Sequence, residues 1–86
     1  MITAKKDGES LTISEQTLRF VQESLKTSGH YRGDVDGQWS SSLSSSISKY
    51  QDEQNLPKTG LPDIDVVIRI KYVTQNKKWN KLYVRN

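Results

Sequence analysis

The sequence predicts a small, mainly α-helical domain followed by a basic C-terminal extension whose structure is left open. The length of 86 residues suits one small domain. Two stretches have apolar residues at spacings of three and four, which is typical of amphipathic helices. A third segment suits either a helix or a strand. We divide the chain into a flexible leader (1–10), a helical domain (11–73) and the extension (74–86).

The composition excludes several classes of function. The chain has no cysteine and a single histidine, His30. Disulfides, cysteine-bound metals and two-histidine metal sites are therefore excluded, and a Ser-His-Asp triad is not expected. No apolar run approaches the ~20 residues that cross a bilayer, and residues 1–9 lack the apolar stretch of a secretory signal. We expect a binding module without cofactor or metal rather than an enzyme.

The first helix is predicted over about 14–28. The Ser14 hydroxyl can accept a hydrogen bond from first-turn amides that lack a partner within the helix. Gly29 can end the helix because glycine takes a positive φ without steric cost. The apolar stripe that defines this helix consists of Leu18, Val21 and Leu25.

The segment 30–39 is predicted to be a turn-rich loop, with two glycines and two aspartates. Its D-V-D-G stretch at 34–37 matches part of the D-x-D-x-D-G pattern of an EF-hand calcium-binding loop. In that alignment, however, the first ligand position is Arg32 and the twelfth is Leu43. Calcium binding is therefore rejected. We expect Asp36 to bond nearby backbone amides, while the glycine after it takes a left-handed conformation.

A serine-rich stretch predicts the second helix, over about 41–54. Seven of the nine residues 40–48 are serine, which is more typical of a linker. Apolar residues nevertheless recur at helical spacing. Asn55 can take the left-handed conformation at the helix end, and Pro57 cannot continue the helix. The apolar stripe consists of Leu43, Ile47 and Tyr50.

The segment from Ile64 to Tyr72 is ambiguous. Every second residue is apolar, which is typical of a half-buried strand. A helix is also possible, with Pro62 at its first position. Residue propensities alone favour the strand. The apolar stripe of the competing helix consists of Val66, Val67, Ile70 and Val73.

Basic residues are concentrated at the C-terminal end. From Val66 onward there are six Lys and Arg and no Asp or Glu, whereas the preceding residues carry seven bases and ten acids. Such a cluster attracts polyanions, and Trp79 and Tyr83 could also stack on nucleobases. The plainer interpretation is a solvated tail whose aromatic residues pack back on the domain.

An ordered set of residues runs through the middle of the chain. It consists of Val21-Gln22, Leu25, Gly29, Tyr31, Gly33, Val35-Asp36-Gly37, Trp39, Ile47, Tyr50-Gln51, Leu56, Thr59-Gly60, Asp63 and Ile70. The set resembles the small three-helix peptidoglycan-binding domain of bacterial cell-wall hydrolases. That family has V-Q-x-x-L, then G-x-Y-x-G-x-V-D-G-x-F-G, then A-V-x-x-F-Q, a leucine, a T-G or D-G turn, an aspartate and a third helix. The chain departs from the family at Ser40, where glycine is usual, and at Leu43 and Val66, where threonine is usual.

The resemblance implies a fold and a function. It makes the segment from Asp63 to about Tyr72 a third helix, and the fold an all-α, small three-helix bundle of the peptidoglycan-binding-domain type. It implies a non-catalytic module that binds peptidoglycan, through the glycan strand or the stem peptide, and anchors a larger envelope protein, another domain of which is a further partner. The expected location is the cell envelope, with the chain a fragment of a longer precursor that lacks its signal sequence.

Two alternative functions stay open. One is a protein-interaction or regulatory domain on the same scaffold that has lost glycan binding, which the departures at Ser40, Leu43 and Val66 favour. The other is polyanion binding through the basic tail, although nucleic acid is not the expected partner.

The candidate ligand-binding residues lie in the loop before the second helix and on that helix. Sugars need an aromatic face and hydrogen-bond donors, and stem-peptide carboxylates need Arg, Lys or free amides. Tyr31 and Arg32 offer a stacking face and a forked donor. Trp39 and Gln51 also suit a core position and a bond to a loop backbone, and His30 is expected to face solvent. The predicted ligand-binding residues are Tyr31, Arg32, Asp36, Gln38, Trp39 and Gln51.

Overall fold

Three helices form the body of the molecule, and a β-hairpin precedes them. The computed structural model describes the backbone of residues 1–6 and 8–83 and the side chains of residues 1–6 and 8–73. Within this part of the chain no helix is long and apolar enough to cross a membrane. The elements are β1 (Ile2–Lys6), β2 (Glu9–Ile13), α1 (Glu15–Thr27), α2 (Ser41–Glu53) and α3 (Ile64–Tyr83).

The first two helices lie where their caps and stripes predict. At the start of α1 the Ser14 hydroxyl accepts from the amide of Thr17 at 3.1 Å. At the start of α2 the Ser40 hydroxyl accepts from the amide of Leu43 at 3.1 Å. Asn55 follows α2 with φ 59°, the left-handed conformation that ends helices. The serine-rich stretch is therefore helix, because its few apolar residues share one buried face.

The third segment is a helix, and the preference for a strand that its residues give on their own is wrong. The amide of Val67 donates to the carbonyl of Asp63 at 3.0 Å in the first turn. Val66 and Ile70 lie one turn apart and are both buried in the core. Packing of that pair against the other helices overrides the β propensity of the segment. The other members of the alternating pattern are exposed: Ile64, Ile68 and Tyr72.

The N-terminal hairpin corrects the flexible leader predicted over 1–10 and the purely α-helical class. Strands β1 and β2 pair antiparallel, with Ile2 opposite Ile13 and Ala4 opposite Leu11. One face of the hairpin is apolar, and Ala4 and Ile13 are buried on it. Burial of this face compensates for the entropy that a leader would lose on ordering.

Two contacts fasten the hairpin to the helical body. The indole Nε1 of Trp39 donates to the carbonyl of Lys5 at 3.3 Å, and the ammonium of Lys6 donates to the hydroxyl of Ser48 at 3.2 Å. The hairpin therefore lies against α2 and the residue that precedes its cap.

Among the side chains that the structure describes, one apolar core joins the elements. Its buried residues are Ile13, Leu18, Val21, Leu25, Tyr31, Leu43, Ile47, Tyr50, Val66 and Ile70. The predicted extension partly lies outside the described residues. The backbone of α3 continues to Tyr83, whereas the prediction that the aromatic side chains of the tail pack back falls on side chains that the structure does not describe.

Candidate functional site

The loop between α1 and α2 is fastened by the buried side chain of Gln22. Its Oε1 accepts from the amide of Gly37 at 2.8 Å. Its Nε2 donates to Oδ1 of Asp36 at 3.0 Å and to the carbonyl of Gln38 at 3.1 Å. Gly37 has φ 71°, a conformation that disfavours any side chain. The D-G turn predicted from the sequence is thus held directly by helix α1.

Tyr31 belongs to the core rather than to the surface. Its hydroxyl donates to the carbonyl of Asp34 at 2.9 Å, and its ring is buried. A Cβ at Gly33 would collide with this ring, so the turn closes directly over it. Burial raises the pKa of Tyr31, and the charge of Asp36 raises it further. The expectation of an exposed stacking face at Tyr31 is corrected: the ring packs the loop onto the core.

Four polar side chains of the loop are exposed: Arg32, Asp34, Asp36 and Gln38. We call the three of them that were predicted as site residues, Arg32, Asp36 and Gln38, the loop face. Asp36 also accepts from the amide of Gln38 at 2.9 Å. The hydrogen bond from Gln22 lowers the pKa of Asp36, with a further contribution from that amide and a smaller one from Arg19. The carboxylate is therefore ionised at neutral pH, and the loop face carries both signs of charge.

Side chains of α1 border the loop face. The guanidinium of Arg19 donates to Oε2 of Glu15 through Nε at 3.0 Å and Nη2 at 2.9 Å. A Cβ placed on Gly37 would lie 2.7 Å from Cγ of Glu15. The glycine backbone and this ion pair therefore meet at the edge of the face.

Trp39 closes the loop beside α2. Its ring is half-buried and packs against the core, and its Nε1 is bonded to the hairpin as described above. The next residue, Ser40, uses its hydroxyl to cap α2. Trp39 thus has a packing role, with part of its surface left accessible.

Gln51 fastens a different loop, the one between α2 and α3. Its Oε1 accepts from the amide of Gly60 at 2.9 Å, and its Nε2 donates to Oγ1 of Thr59 at 3.0 Å. Its side chain is buried. The structure therefore brings Asp36 and Gln38 together through Gln22 but leaves Gln51 outside the loop face. Gln22 was not among the predicted site residues, although the repeated pairs Val21-Gln22 and Tyr50-Gln51 signalled its role.

His30 is not the solvent-facing residue that was expected. Its side chain is only 15 % exposed, and its Nε2 lies 2.8 Å from Oε1 of Glu53. Its Nδ1 lies 2.6 Å from the hydroxyl of Ser28. Its ring meets the ring of Tyr50 edge-on, with the centroids 5.4 Å apart. His30 therefore links the ends of α1 and α2.

A cavity of about 350 Å³ lies between α1 and α3. Phe20, Leu25 and Ile70 contribute to its apolar lining, and Tyr50 borders it. The hydroxyl of Tyr50 is buried and has no hydrogen-bond partner among the described residues. Desolvation by burial raises its pKa. Across the described part of the chain, no three His, Cys, Asp or Glu side chains group closely enough to hold a metal ion.

Comparison with known proteins gives one match. The family model described as "Putative peptidoglycan binding domain" matches residues 14–70, about two thirds of the chain. The matched region runs from the cap of α1 to the buried Ile70 of α3 and contains the whole loop face. No curated protein and no solved structure gave a significant match.

Proposed function

Because the chain belongs to the peptidoglycan binding domain family, we propose that it is a non-catalytic module that holds a larger envelope protein against the bacterial cell wall. Peptidoglycan binding is the function of the family. The anchoring role, the absence of catalysis and the location in the envelope are our proposals for this chain. The observation that supports them best is the loop face, which lies in the matched region on a backbone fixed by Gln22.

The chemistry of the loop face suits a glycan–peptide polymer. The guanidinium of Arg32 can bind a stem-peptide carboxylate through two parallel hydrogen bonds. The side-chain amide of Gln38 and the carboxylate of Asp36 can form hydrogen bonds with sugar hydroxyls and peptide amides. The accessible part of Trp39 offers an apolar surface to a sugar ring. Because Gln22 already orders the loop, binding costs little further conformational entropy.

None of the three departures from the family pattern is a residue of the loop face. Leu43 and Val66 are fully buried, so apolar residues in place of threonine change the core. Ser40 caps α2 through its own hydroxyl. An interaction domain that has lost glycan binding was inferred from these positions. The burial of Leu43 and Val66 and the capping role of Ser40 give these departures a structural explanation, and we therefore favour wall binding.

Co-sedimentation with purified peptidoglycan sacculi tests the proposal. The chain should pellet with sacculi, and Arg32→Gln should weaken binding at least tenfold, because a charge-assisted pair contributes roughly 1.5–3 kcal/mol. Lys49→Gln is the matched control, since it removes one exposed base from α2. Failure of the chain to pellet would refute wall binding. Equal binding of Arg32→Gln and the control would refute the loop face as the site.

A further inference from the structure

Helix α3 carries a second apolar row on the side away from the core. Ile64, Ile68 and Tyr72 are 72 %, 58 % and 57 % exposed. They follow one another at intervals of four residues, and we call them the outer row. At about 100° per residue they occupy one side of the helix, whereas the buried pair Val66 and Ile70 occupies the opposite side. The described part of α3 is thus apolar on two faces, and only one is covered.

The sequence continues the spacing of the outer row along α3. Positions 75, 79 and 83 follow the three residues of the row at an interval of eleven, and two of them are Trp79 and Tyr83. Eleven residues in three turns match the 3.6-residue period of an unstrained helix closely. Such a row stays on one side of a straight helix. A seven-residue repeat would instead require a supercoiled partner helix.

The charge of α3 defines the partner further. Asp65 is the one acid in the helix sequence, and from Val66 onward the chain has six bases and no acid. A second copy paired through α3 would place two helices of the same net positive charge side by side, which like-charge repulsion disfavours. The net positive charge favours an anionic partner. The straight row favours a partner surface that is flat over the roughly 30 Å length of a 20-residue helix.

We propose that the outer row of α3 docks on the surface of an anionic lipid bilayer. The helix lies in the plane of the interface, with Ile64, Ile68 and Tyr72 at the boundary of the acyl chains and the neighbouring bases at the lipid phosphates. The long stem of a lysine such as Lys71 lets its charge reach the head groups from the flank of the row. This surface shares no residue with the loop face and does not depend on wall binding.

Flotation of the whole chain with vesicles tests the proposal. Vesicles of three parts phosphatidylcholine to one part phosphatidylglycerol should carry the chain, and pure phosphatidylcholine vesicles should not. The double variant Ile68→Gln/Tyr72→Gln should lower partitioning at least tenfold. Lys71→Gln should lower it roughly fivefold, the value of one base near an anionic surface.

Matched variants separate docking from general attraction of charge. Ile68→Leu/Tyr72→Phe keeps the row apolar and should partition like the original chain, and Lys49→Gln should have no effect. Circular dichroism checks that each variant is folded. The proposal is overturned if no vesicle carries the chain, or if Ile68→Gln/Tyr72→Gln partitions normally. It is also overturned if double-stranded DNA competes fully with the vesicles at equal charge. Sacculus binding of the same variants should be unchanged, so failure of this proposal is distinguishable from failure of wall binding.

Discussion

The loop after α1 and the loop after α2 are fastened in the same way, by a glutamine from the helix that precedes each. Gln22 accepts from the amide of Gly37 at 2.8 Å, and Gln51 accepts from the amide of Gly60 at 2.9 Å. Both glycines are left-handed, with φ 71° and 73°. In each case the glutamine is buried and its Nε2 donates to the residue before the glycine.

The two loops differ in what the glutamine holds. Gln22 donates to the ionised, exposed carboxylate of Asp36. Gln51 donates to the neutral hydroxyl of Thr59, which in turn donates to Oδ2 of Asp63 at 2.7 Å. Leu61 and Pro62, which follow Gly60, are buried, whereas Gln38, which follows Gly37, is exposed. The same glutamine-to-glycine hydrogen bond therefore holds an exposed polar surface in the first loop. In the second loop it holds buried residues that pack before the start of α3.

The largest expected effect separates the two glutamines. Gln22→Glu should lower the free energy of unfolding at pH 7 by about 3 kcal/mol, because a buried carboxylate would face that of Asp36 and lose a donor. Gln51→Glu should cost less, about 2 kcal/mol, because the hydroxyl of Thr59 can turn and donate to the new carboxylate, at the loss of its hydrogen bond to Asp63. Urea denaturation measures both. Equal losses of unfolding free energy would contradict the idea that the residue before the glycine, Asp36 or Thr59, sets the difference between the two loops.

The glycines should differ next. An alanine Cβ would meet flexible side chains at both positions, Lys6 at position 60 and Glu15 and Arg19 at position 37. At position 60 it would also lie 2.9 Å from the hydroxyl of the buried Ser44, which has less room to move. Gly60→Ala should therefore cost about 2 kcal/mol, and Gly37→Ala about 1 kcal/mol from backbone strain. Thermal unfolding of the two variants checks the order. A larger loss for Gly37→Ala would contradict the packed character of the second loop.

Two buried tyrosines differ in whether their hydroxyl has a partner: Tyr31 in the loop after α1 is hydrogen-bonded, and Tyr50 beside the cavity is not bonded within the described structure. Tyr31→Phe removes a hydroxyl that donates to the carbonyl of Asp34 and should destabilise by about 1 kcal/mol. Tyr50→Phe removes a buried hydroxyl with no partner in the described structure. It should stabilise by about 1 kcal/mol, because the desolvation penalty disappears. Opposite shifts in the urea midpoint are expected, and shifts of the same sign would contradict them.

The smallest effect concerns the charge of Asp36. Its pKa is lowered from 3.8 in the folded state by its hydrogen bonds, so ionisation favours folding. The original chain should be more stable than Asp36→Asn at neutral pH, and the difference should close as pH falls below 3.8. Asparagine keeps the acceptor for Gln22, which isolates the charge. Urea titrations at several pH values measure the difference, and a gap that persists at low pH would contradict its electrostatic origin.

The sequence predicted α1 and α2 nearly to the residue, because their signals are local. Ser14 and Ser40 cap the helices, and Asn55 ends the second one. Helix α3 could not be decided from its own residues, because the alternating pattern mixes the buried Val66 and Ile70 with the exposed outer row. The hairpin had a local signal, a D-G dipeptide at 7–8 between short alternating stretches, which is typical of tight hairpins.

The site was harder to predict because its geometry depends on residues distant in sequence. Tyr31 is buried since the loop folds back onto Gln22, nine residues earlier. His30 pairs with Glu53, 23 residues later. Sequence patterns indicated the turn and its exposed neighbours Arg32 and Gln38. They could not show which aromatic ring the turn would cover.

The hairpin has a consequence for the order in which the chain folds and opens. Its two fastening contacts span 34 and 42 positions of the sequence, whereas helical hydrogen bonds span four. Contacts between residues far apart in sequence form slowly, because the entropy of closing the intervening chain is lost before the contacts stabilise the structure. Attachment of β1 should therefore be among the last steps of folding and detachment among the first local openings, with its amides exchanging with deuterium before those of α1 and α2.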